Sequence, residues 1–208
     1  DDTGVSIIKD DKKLLANVVS SQIDVHAKYG GVMPEIASRL HAENITICIE
    51  KALNDAGITF KDLSAVAVTS GPGLIGALHV GLQAAKTLAL IYKKPLIPVH
   101  HLCGHIYANE FITEFKFPML AVIVSGGNTE LVIMKDHLNF DIIGETEDDA
   151  VGECFDKVAR VLGLPYPGGV YIDRNAKLGE HKYQFKTPKA NKKYDFSWLL
   201  PENTCKSR

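Results

Sequence analysis

A strand–turn–strand pattern occurs twice along the chain, and this repeat limits the fold more than any other feature of the sequence. Each occurrence consists of short β-rich runs joined by polar turns, at residues 5–8 and 14–20 near the start and at 119–124, 129–134 and 140–143 later. A repeated unit of this kind indicates two related lobes with a cleft between them. We therefore predict a first lobe over residues 1–114 and a second lobe over residues 115–208.

Helices separate these strands, which places the chain in the α/β class. Pro34 at a helix start and Gly57 at its end predict one long helix or a closely broken pair. The remaining pattern predicts a strand at 63–69, a glycine loop at 70–73, a helix at 74–92, a buried strand at 95–99 and a helix at 148–162. In such folds the chemistry lies at the carboxyl ends of the strands.

Two histidines follow the strand 95–99 with a spacing that suits a metal ion. His101 and His105 are four residues apart, so a helix places both imidazoles on one face. A His-Glu-x-x-His protease has glutamate directly after the first histidine as its general base, whereas this chain has Leu102. The pair therefore predicts a metal clamp without peptidase chemistry. Cys103 lies on another face of the same helix and is predicted to be a small buried residue.

Four glycine-rich turns lie beside predicted strands or helices, at residues 2–4, 70–73, 125–128 and 167–169. Turns of this kind expose backbone N–H groups that can bind phosphate oxygens. Glycine also serves turns for conformational reasons alone, so a single turn is weak support. Their occurrence in both predicted lobes makes nucleotide binding and a purely conformational role comparable interpretations.

Three acidic positions or runs are candidates for ligand groups. Asp156 and Asp173 can accept hydrogen bonds from ribose hydroxyls, but helix caps or surface charges are equally consistent with their spacing. The acidic run 145–149 is interpreted as a helix N-terminus that the helix dipole favours, and not as a metal site.

Composition is consistent with a cytoplasmic α/β protein. The 208 residues are 46% hydrophobic and 23% charged, which is typical of a chain with a substantial core. No apolar run approaches the ~20 residues of a membrane span, and no secretion leader opens the sequence. The four cysteines are scattered without Cys-x-x-Cys spacing, so we predict reduced thiols.

The net charge of −2 hides an uneven distribution along the chain. Residues 174–208 contain nine Lys or Arg and three Asp or Glu, a local excess of six positive charges. A basic segment can bind nucleic acid, but lysines spaced among polar residues are more often a solvated surface. On composition alone we favour the solvated surface.

A set of ordered motifs along nearly the whole chain resembles the TsaD family of bacterial tRNA threonylcarbamoyltransferases. These motifs are Asp1–Gly4, Gly30–Glu35, Ala37–Arg39, Thr69–Gly73, Pro98–His101, Gly104–His105, Val124–Gly127, Gly144–Glu145, Gly152–Glu153, Phe155–Lys157 and Tyr166–Gly169. The resemblance implies an actin-like, Hsp70-like and sugar-kinase-like two-lobed fold with RNase-H-like lobes. It also implies transfer of threonylcarbamoyl from threonylcarbamoyl-AMP to N6 of adenosine 37 in tRNAs that read codons beginning with A.

The same resemblance assigns roles to individual residues. His101 and His105 match the family's metal ligands, usually for Fe(2+), with zinc or magnesium as alternatives. The positions that match contacts to the adenylate or its acyl group are Ile123, Val124, Ser125, Gly126, Gly127, Asp156, Gly169 and Asp173, and Asp2 and Thr3 match a turn that lines the cleft. The implied partners are tRNA and the proteins TsaB and TsaE, with no membrane.

The sequence also departs from the family's pattern. The family begins with an upstream strand and continues beyond position 208, where it supplies the third metal ligand, so we expect an incomplete second lobe and a chain that is inactive by itself. Asn128 replaces a common histidine, and Val170–Tyr171 replaces a pair that contains proline. We expect residues 198–208 to be poorly ordered, and the uncovered sheet of the second lobe to form a homodimer.

Three other functions share part of this sequence pattern. An actin-like ATPase or sugar kinase shares the glycine turns but has no use for a His-x-x-x-His clamp. A glycoprotease, an older interpretation of this family, needs the general base that the chain lacks after His101. A non-catalytic scaffold like TsaB shares the fold but lacks the metal pair, so the two histidines favour the catalytic member.

Overall fold

The computed structural model describes residues 2–10, 12–180, 182, 188 and 190–198. The chain divides into two compact units, Asp1–Thr113 and Glu114–Arg208, one residue before the predicted boundary. Both units combine strands with helices, which is the mixed α/β class that the sequence predicts. Poor order is predicted for residues 198–208, of which Trp198 is described and the others, including Cys205, lie outside the described residues.

The described residues of the first unit form four strands and four helices: β1 (Asp2–Lys9), β2 (Lys13–Ser21), α1 (Ile23–Ala27), α2 (Pro34–Ala56), β3 (Val66–Gly71), α3 (Ile75–Tyr92), β4 (Leu96–His100) and α4 (His101–Tyr107). Short 3-10 helices lie at Phe60–Asp62 and Ala108–Phe111. The second unit contains β5 (Met119–Val124), β6 (Thr129–Asp136), β7 (Asn139–Glu145), α5 (Val151–Val161) and α6 (Gly168–Ala176).

The β1–β2 hairpin begins earlier than predicted. The two strands pair antiparallel, and Asp2 is opposite Ser21 while Gly4 is opposite Val19. The predicted glycine turn at residues 2–4 is therefore wrong, because these residues are part of β1. Backbone pairing with β2 fixes an extended conformation there whether or not a glycine is present.

Helix α2 covers one face of this hairpin and forms the main core of the first unit. It is one unbroken helix from Pro34 to Ala56, which decides between the two predicted alternatives. Gly57 ends it in the left-handed conformation with φ 66°, which glycine adopts without strain. The buried residues of this core are Ile7, Ala16, Val18, Cys48, Ala52 and Leu53.

Strands β3 and β4 form a parallel pair that positions α4. Val66 pairs with Leu96 and Thr69 with Val99, and α3 supplies the crossover between the two strands. The predicted order of strand, glycine loop, helix and strand is confirmed here. β4 ends at His100 and α4 begins at His101, so the histidine pair lies directly at the carboxyl end of a strand.

Helix α3 is long and apolar enough, by length and composition, to cross a membrane, which the sequence interpretation did not anticipate. It is the one described helix of this kind, and such a finding is weak support for a membrane segment. The helix contains His79 and Lys86, and it packs against α2 and β3 as a crossover helix does.

The second unit is built on a three-stranded antiparallel sheet in the order β5–β6–β7. One face of this sheet buries Ile123, Val132 and Met134, which are 7%, 3% and 0% exposed. The opposite face of β5 exposes Leu120, Val122 and Val124, at 55%, 62% and 56%. Among the described residues no helix covers these three side chains, and they form an apolar surface that we call the β5 face.

A buried polar cluster joins β2, α1 and α2 in the first unit. His26 is fully buried, and its Nδ1 accepts a hydrogen bond from the Met33 N–H at 3.3 Å. The proton therefore lies on Nε2, which donates to Gln22 Oε1 at 3.0 Å. Gln22 in turn donates to the Ala37 carbonyl at 3.4 Å. Burial lowers the pKa of His26, so the neutral ring is the stable form.

We expect the region around His26 to open as the pH falls. Because the pKa of His26 is lowered in the folded chain, the stabilisation is present above the unfolded value of about 6.5 and is lost below it. Hydrogen exchange of residues 22–37, corrected for intrinsic rates, should show less protection at pH 5 than at pH 7.5.

His26→Gln should remove part of this pH dependence, and His79→Gln, at an exposed position on α3, should leave it unchanged. Burial also lowers the pKa of His41, which we expect to cause the remaining part. An identical pH dependence in His26→Gln would contradict the assignment.

Candidate functional site

Two buried side chains orient the histidines of α4. Leu102 and Ile106 are 5% and 6% exposed and hold one face of the helix against the unit. His101 and His105 lie about 100° around the helix from these side chains, on an exposed face, one turn apart. Their Nε2 atoms are 3.2 Å apart, and their ring centroids are 4.5 Å apart in an edge-on arrangement. The structure therefore brings the two predicted metal ligands together.

This spacing fits a shared metal ion. Two nitrogens that each lie about 2.0–2.1 Å from a tetrahedral ion are about 3.3 Å apart, close to the separation of these atoms. Burial, followed by the neighbouring imidazoles of His105 and His100, lowers the pKa of His101. The neutral ring that results is the form that binds a metal.

The surroundings of the pair supply neither a third ligand nor a protease base. Over residues 2–10, 12–180, 182, 188 and 190–198, no group of three or more His, Cys, Asp or Glu could hold an ion. Leu102 is apolar and buried, so the position of a peptidase base is part of the core. Cys103 is half-buried, whereas a buried residue is predicted, and it is in the thiol form, as are Cys48 and Cys154.

In the glycine turn between β5 and β6, two backbone N–H groups have hydrogen-bond partners within the turn. Ser125 Oγ accepts hydrogen bonds from the N–H groups of Asn128 at 3.0 Å and of Gly127 at 3.3 Å. The Ser125 N–H donates to the Asn128 carbonyl at 2.9 Å and closes the turn. Gly126 and Gly127 are exposed, whereas Ile123 is buried and Val124 is exposed at 56%.

Helix α5 begins directly against this turn. The Val151 N–H donates to Thr129 Oγ1 at 3.0 Å, and the Gly152 N–H donates to the Ser125 carbonyl at 3.1 Å. A Cβ on Gly152 would lie 2.7 Å from Gly126 Cα and 2.8 Å from the Ser125 carbonyl oxygen. Only glycine permits this contact, so Gly152 fixes the position of the turn relative to the helix.

The two aspartates differ in their surroundings. Asp156 is half-buried, and its Oδ1 accepts a hydrogen bond from the Gly168 N–H at 2.6 Å, which holds the start of α6 against α5. Asp173 is exposed on α6 and pairs with Lys177 at 2.7 Å. The predicted turn at 167–169 is instead the first turn of α6, where Gly169 is half-buried beside Phe155.

Asp2 and Thr3 lie in β1 and contact other parts of the first unit. Asp2 Oδ1 accepts a hydrogen bond from the Gln22 N–H at 3.2 Å. Thr3 is 3% exposed, and its hydroxyl is 2.8 Å from His41 Nδ1. The turn that these residues were predicted to form is therefore a strand that is fixed by β2 and α2.

The acidic run 145–149 does not form a helix N-terminus as predicted, because α5 begins only at Val151. The Glu147 carboxylate instead binds the backbone and side chain of Asn191 at 2.6 and 2.7 Å. The Asp148 carboxylate accepts hydrogen bonds from the Ser197 hydroxyl and from the Trp198 N–H. The run therefore anchors the segment 191–198 along β7.

Three residues shape the second unit in ways that the sequence did not indicate. Thr129 belongs to no predicted site, and Gly152 and Gly168 were named only as parts of motifs or of a turn, without a packing role. Thr129 is 4% exposed and caps α5 with its hydroxyl. Gly168 lies so close to α5 that an added Cβ would be 2.8 Å from the Phe155 carbonyl oxygen. Polar or glycine residues next to a predicted helix start are the signal that could have indicated them.

Fold and site together define an α/β protein with an exposed pair of helical imidazoles and a serine–glycine turn packed on a helix. The family model of TsaD, described as tRNA N6-adenosine threonylcarbamoyltransferase, matches residues 13–201. The chain therefore belongs to the TsaD family.

Curated relatives named tRNA N6-adenosine threonylcarbamoyltransferase support the same family. The protein of Staphylococcus saprophyticus is 58% identical over 199 residues, which are 95% of this chain and 58% of the relative. That of Halalkalibacterium halodurans is 56% identical over 203 residues, which are 98% of this chain and 57% of the relative. The chain thus spans somewhat more than half the length of these relatives. A solved structure from Pseudomonas aeruginosa, described as similar to the peptidase YeaZ, aligns with a TM-score of 0.47 and 17% identity over 70% of this chain and 60% of its own.

We expect Gly152→Ala to destabilise the second unit by about 1–3 kcal/mol, because the new methyl group would overlap backbone atoms that cannot move independently. Urea unfolding followed by the fluorescence of Trp198, the only tryptophan, would measure the loss. Gly169→Ala is the matched control, since its nearest contact is a Phe155 side-chain carbon at 3.7 Å and it should cost little. Equal stability of the two variants would rule out the close contact.

Proposed function

We propose that this chain carries the first part of a tRNA threonylcarbamoyltransferase, which transfers threonylcarbamoyl from threonylcarbamoyl-AMP to N6 of adenosine 37 in tRNAs that read codons beginning with A. The observation that carries this proposal is the pair His101 and His105, with Nε2 atoms 3.2 Å apart, in a member of the TsaD family. The exocyclic amine of adenine is a weak nucleophile. The catalyst must therefore hold an activated carbonyl in place and stabilise the charge that develops on its oxygen.

His101 and His105 would hold one divalent ion, for which iron is our first choice and zinc or magnesium the alternatives. When bound, such an ion supplies Lewis-acid stabilisation of the acyl or phosphate oxygens. The third ligand would come from outside the described residues. The function of the histidines is to hold this ion, and the buried Leu102 and Ile106 keep both rings on the exposed face.

The turn at residues 125–128 is our candidate for contacts to the adenylate. Its amides are fixed in place by Thr129 and Gly152, which attach α5 to the turn. Asp156 and Gly169 belong to the same unit, and Asp156 would orient the start of α6 through Gly168. We assign further ligand contacts in the second unit to Ile123 and Val124 in β5 and to Asp173, which pairs with Lys177. In the first unit we assign them to Asp2 and Thr3.

Membership of the TsaD family also supports proposals for the fold, the partners and the location of the protein. We propose that the two units are the lobes of an actin-like, Hsp70-like and sugar-kinase-like fold, with a second lobe that is incomplete in this chain. TsaB and TsaE are the proposed protein partners and tRNA the nucleic-acid partner. The cytoplasm is the proposed location.

Two other functions have less support than the transferase, and in each case the reason is the histidine pair of α4. An actin-like ATPase or sugar kinase needs phosphate contacts but no bis-histidine face such as α4 presents. A scaffold like TsaB needs no metal ligands, whereas both histidines here are exposed and aligned. Release of phosphate from ATP, stimulated by a sugar, would favour the kinase.

The direct test is formation of the modified nucleoside. The full-length protein that contains this chain would be incubated with threonylcarbamoyl-AMP, unmodified tRNA, TsaB and TsaE, and the digested tRNA would be analysed by mass spectrometry. We expect His101→Ala/His105→Ala to lower the yield by on the order of 10²-fold or more, as for the loss of charge stabilisation. His100→Ala, next to the pair but outside it, is the matched control. Unchanged yield in the double variant would contradict the proposed role of the histidines.

We further propose that the β5 face forms a homodimer. Leu120, Val122 and Val124 expose more than half of each side chain, which is unfavourable in water. Light scattering should give a dimer that Val122→Lys weakens, and Lys135→Gln on the exposed end of β6 should have no effect. A monodisperse monomer for the unsubstituted chain would count against this dimer.

A further inference from the structure

The loop at residues 146–150 connects β7 to α5, and the backbone at both of its ends is bonded to one residue. The Thr146 N–H donates to the Thr129 carbonyl at 3.1 Å, and the Val151 N–H donates to Thr129 Oγ1 at 3.0 Å. Thr129 is 4% exposed and directly follows the turn at residues 125–128. Loop and turn therefore share a buried anchor, and displacement of the loop breaks bonds to the residue that ends the turn.

Inside this loop, the Asp148 carboxylate binds a segment about 50 residues further along the chain. The Ser197 hydroxyl donates to Asp148 Oδ2, and the Trp198 N–H donates to Oδ1 at 2.8 Å. Asp148 is half-buried, and hydrogen bonds to a charged oxygen are roughly twice as strong as neutral ones. The carboxylate is therefore a strong link between the loop and this distant segment.

The distant segment, residues 191–198, is bonded to both elements that the loop connects, and we call it the strap. The Phe196 N–H donates to the Glu145 carbonyl at the end of β7, at 3.0 Å. The Trp198 carbonyl accepts a hydrogen bond from Cys154 Sγ, in the first turn of α5, at 3.4 Å. The strap thus provides a second connection between β7 and α5, parallel to the loop.

A glycine in β7 allows the strap to lie this close to the sheet. A Cβ on Gly144 would overlap the Tyr194 carbonyl oxygen. The Glu145 N–H donates to Asp195 Oδ1 at 3.2 Å, and the Asp195 side chain is 5% exposed. These contacts hold the strap in place ahead of its last two residues, so their hydrogen-bond donors have a fixed position relative to the loop.

We propose that Asp148 is a positioning residue for the turn at residues 125–128. By binding the strap it holds the loop, and through Thr129 it keeps the turn in the geometry that accepts the adenylate. The carboxylate acts through these bonds and makes no contact with the ligand. This proposal rests on the assignment of the turn to the adenylate in the proposed function, and it does not involve the histidines of α4.

The first test is steady-state kinetics of the full-length protein that contains this chain, with TsaB, TsaE and unmodified tRNA. We expect Asp148→Ala to raise the KM for threonylcarbamoyl-AMP by about tenfold and to change kcat by less than about twofold, because the turn binds the adenylate equally in the ground and transition states. Partial unfolding would instead lower kcat and leave the KM of the folded molecules unchanged. That result would overturn the proposal.

Variants of the strap test whether the carboxylate acts through it. Ser197→Ala leaves the Trp198 N–H on Asp148 and should raise KM less than Asp148→Ala does, whereas Ser197→Thr keeps a hydroxyl and should have the original KM. Asp148→Ala/Ser197→Ala should match Asp148→Ala, and additive effects would contradict the link. Asp141→Ala is the matched control, because it removes a β7 carboxylate that pairs with Lys135 at the surface and should leave KM unchanged.

Hydrogen exchange of the full-length protein, measured by NMR without tRNA or adenylate, tests the connection between strap and turn. The amides at 127–128 and 151–152 form hydrogen bonds within or beside the turn. We expect them to exchange about tenfold faster in Asp148→Ala than in Asp141→Ala, because local opening becomes easier. Equal exchange in the two variants would overturn the positioning role, whatever the activity.

Together the two measurements separate failure of this proposal from failure of the proposed function. If the unsubstituted protein forms no modified nucleoside, the proposed function fails, and faster exchange in Asp148→Ala still supports the connection between strap and turn. Faster exchange with an unchanged KM would refute the assignment of the turn to the adenylate, and with it the role of Asp148 in ligand binding.

Discussion

Burial of Leu102 and Ile106 is the interaction on which the site in the first unit depends. These two side chains have the same spacing as the histidines and lie about 100° around α4 from them, so holding them in the core leaves both imidazoles exposed. A helix of seven residues is too short to be stable by its own hydrogen bonds. Its position is instead set by this packing and by β4, which ends one residue before it.

An equivalent constraint operates in the second unit through contacts of the backbone. Gly152 brings the start of α5 within van der Waals distance of Gly126, and Thr129 satisfies the first amide of that helix from the buried side. Gly168 places α6 equally close to α5, with Asp156 bonded to its amide. Turn, helix and second helix therefore form one connected arrangement, in which a displacement of α5 would move the turn as well.

Sequence reasoning was accurate where hydrophobic periodicity alone decides the structure. It predicted α2, the pair β3 and β4, and the three strands of the second unit, because their apolar residues have the required spacing. It failed where distant contacts override local preference. Residues 2–4 contain a glycine yet are extended by pairing with β2, and α5 starts late because Asp148 binds Ser197 and Trp198 instead of a helix terminus. Gly168 and Gly169 have a low helix propensity, so the sequence predicts a turn where α6 begins.

The hydrogen bonds of Ser125 determine which ligands its turn can bind. The amides of Gly127 and Asn128 both donate to the Ser125 hydroxyl, so a ligand oxygen must replace that hydroxyl to use them. A neutral oxygen gains little by this exchange, because one ordinary hydrogen bond is substituted for another. In the proposed role of this turn, a charged ligand oxygen would form hydrogen bonds that are roughly twice as strong and would displace the hydroxyl more readily. The turn would then favour anionic groups such as phosphate, and this preference would depend on the serine as well as on the glycines.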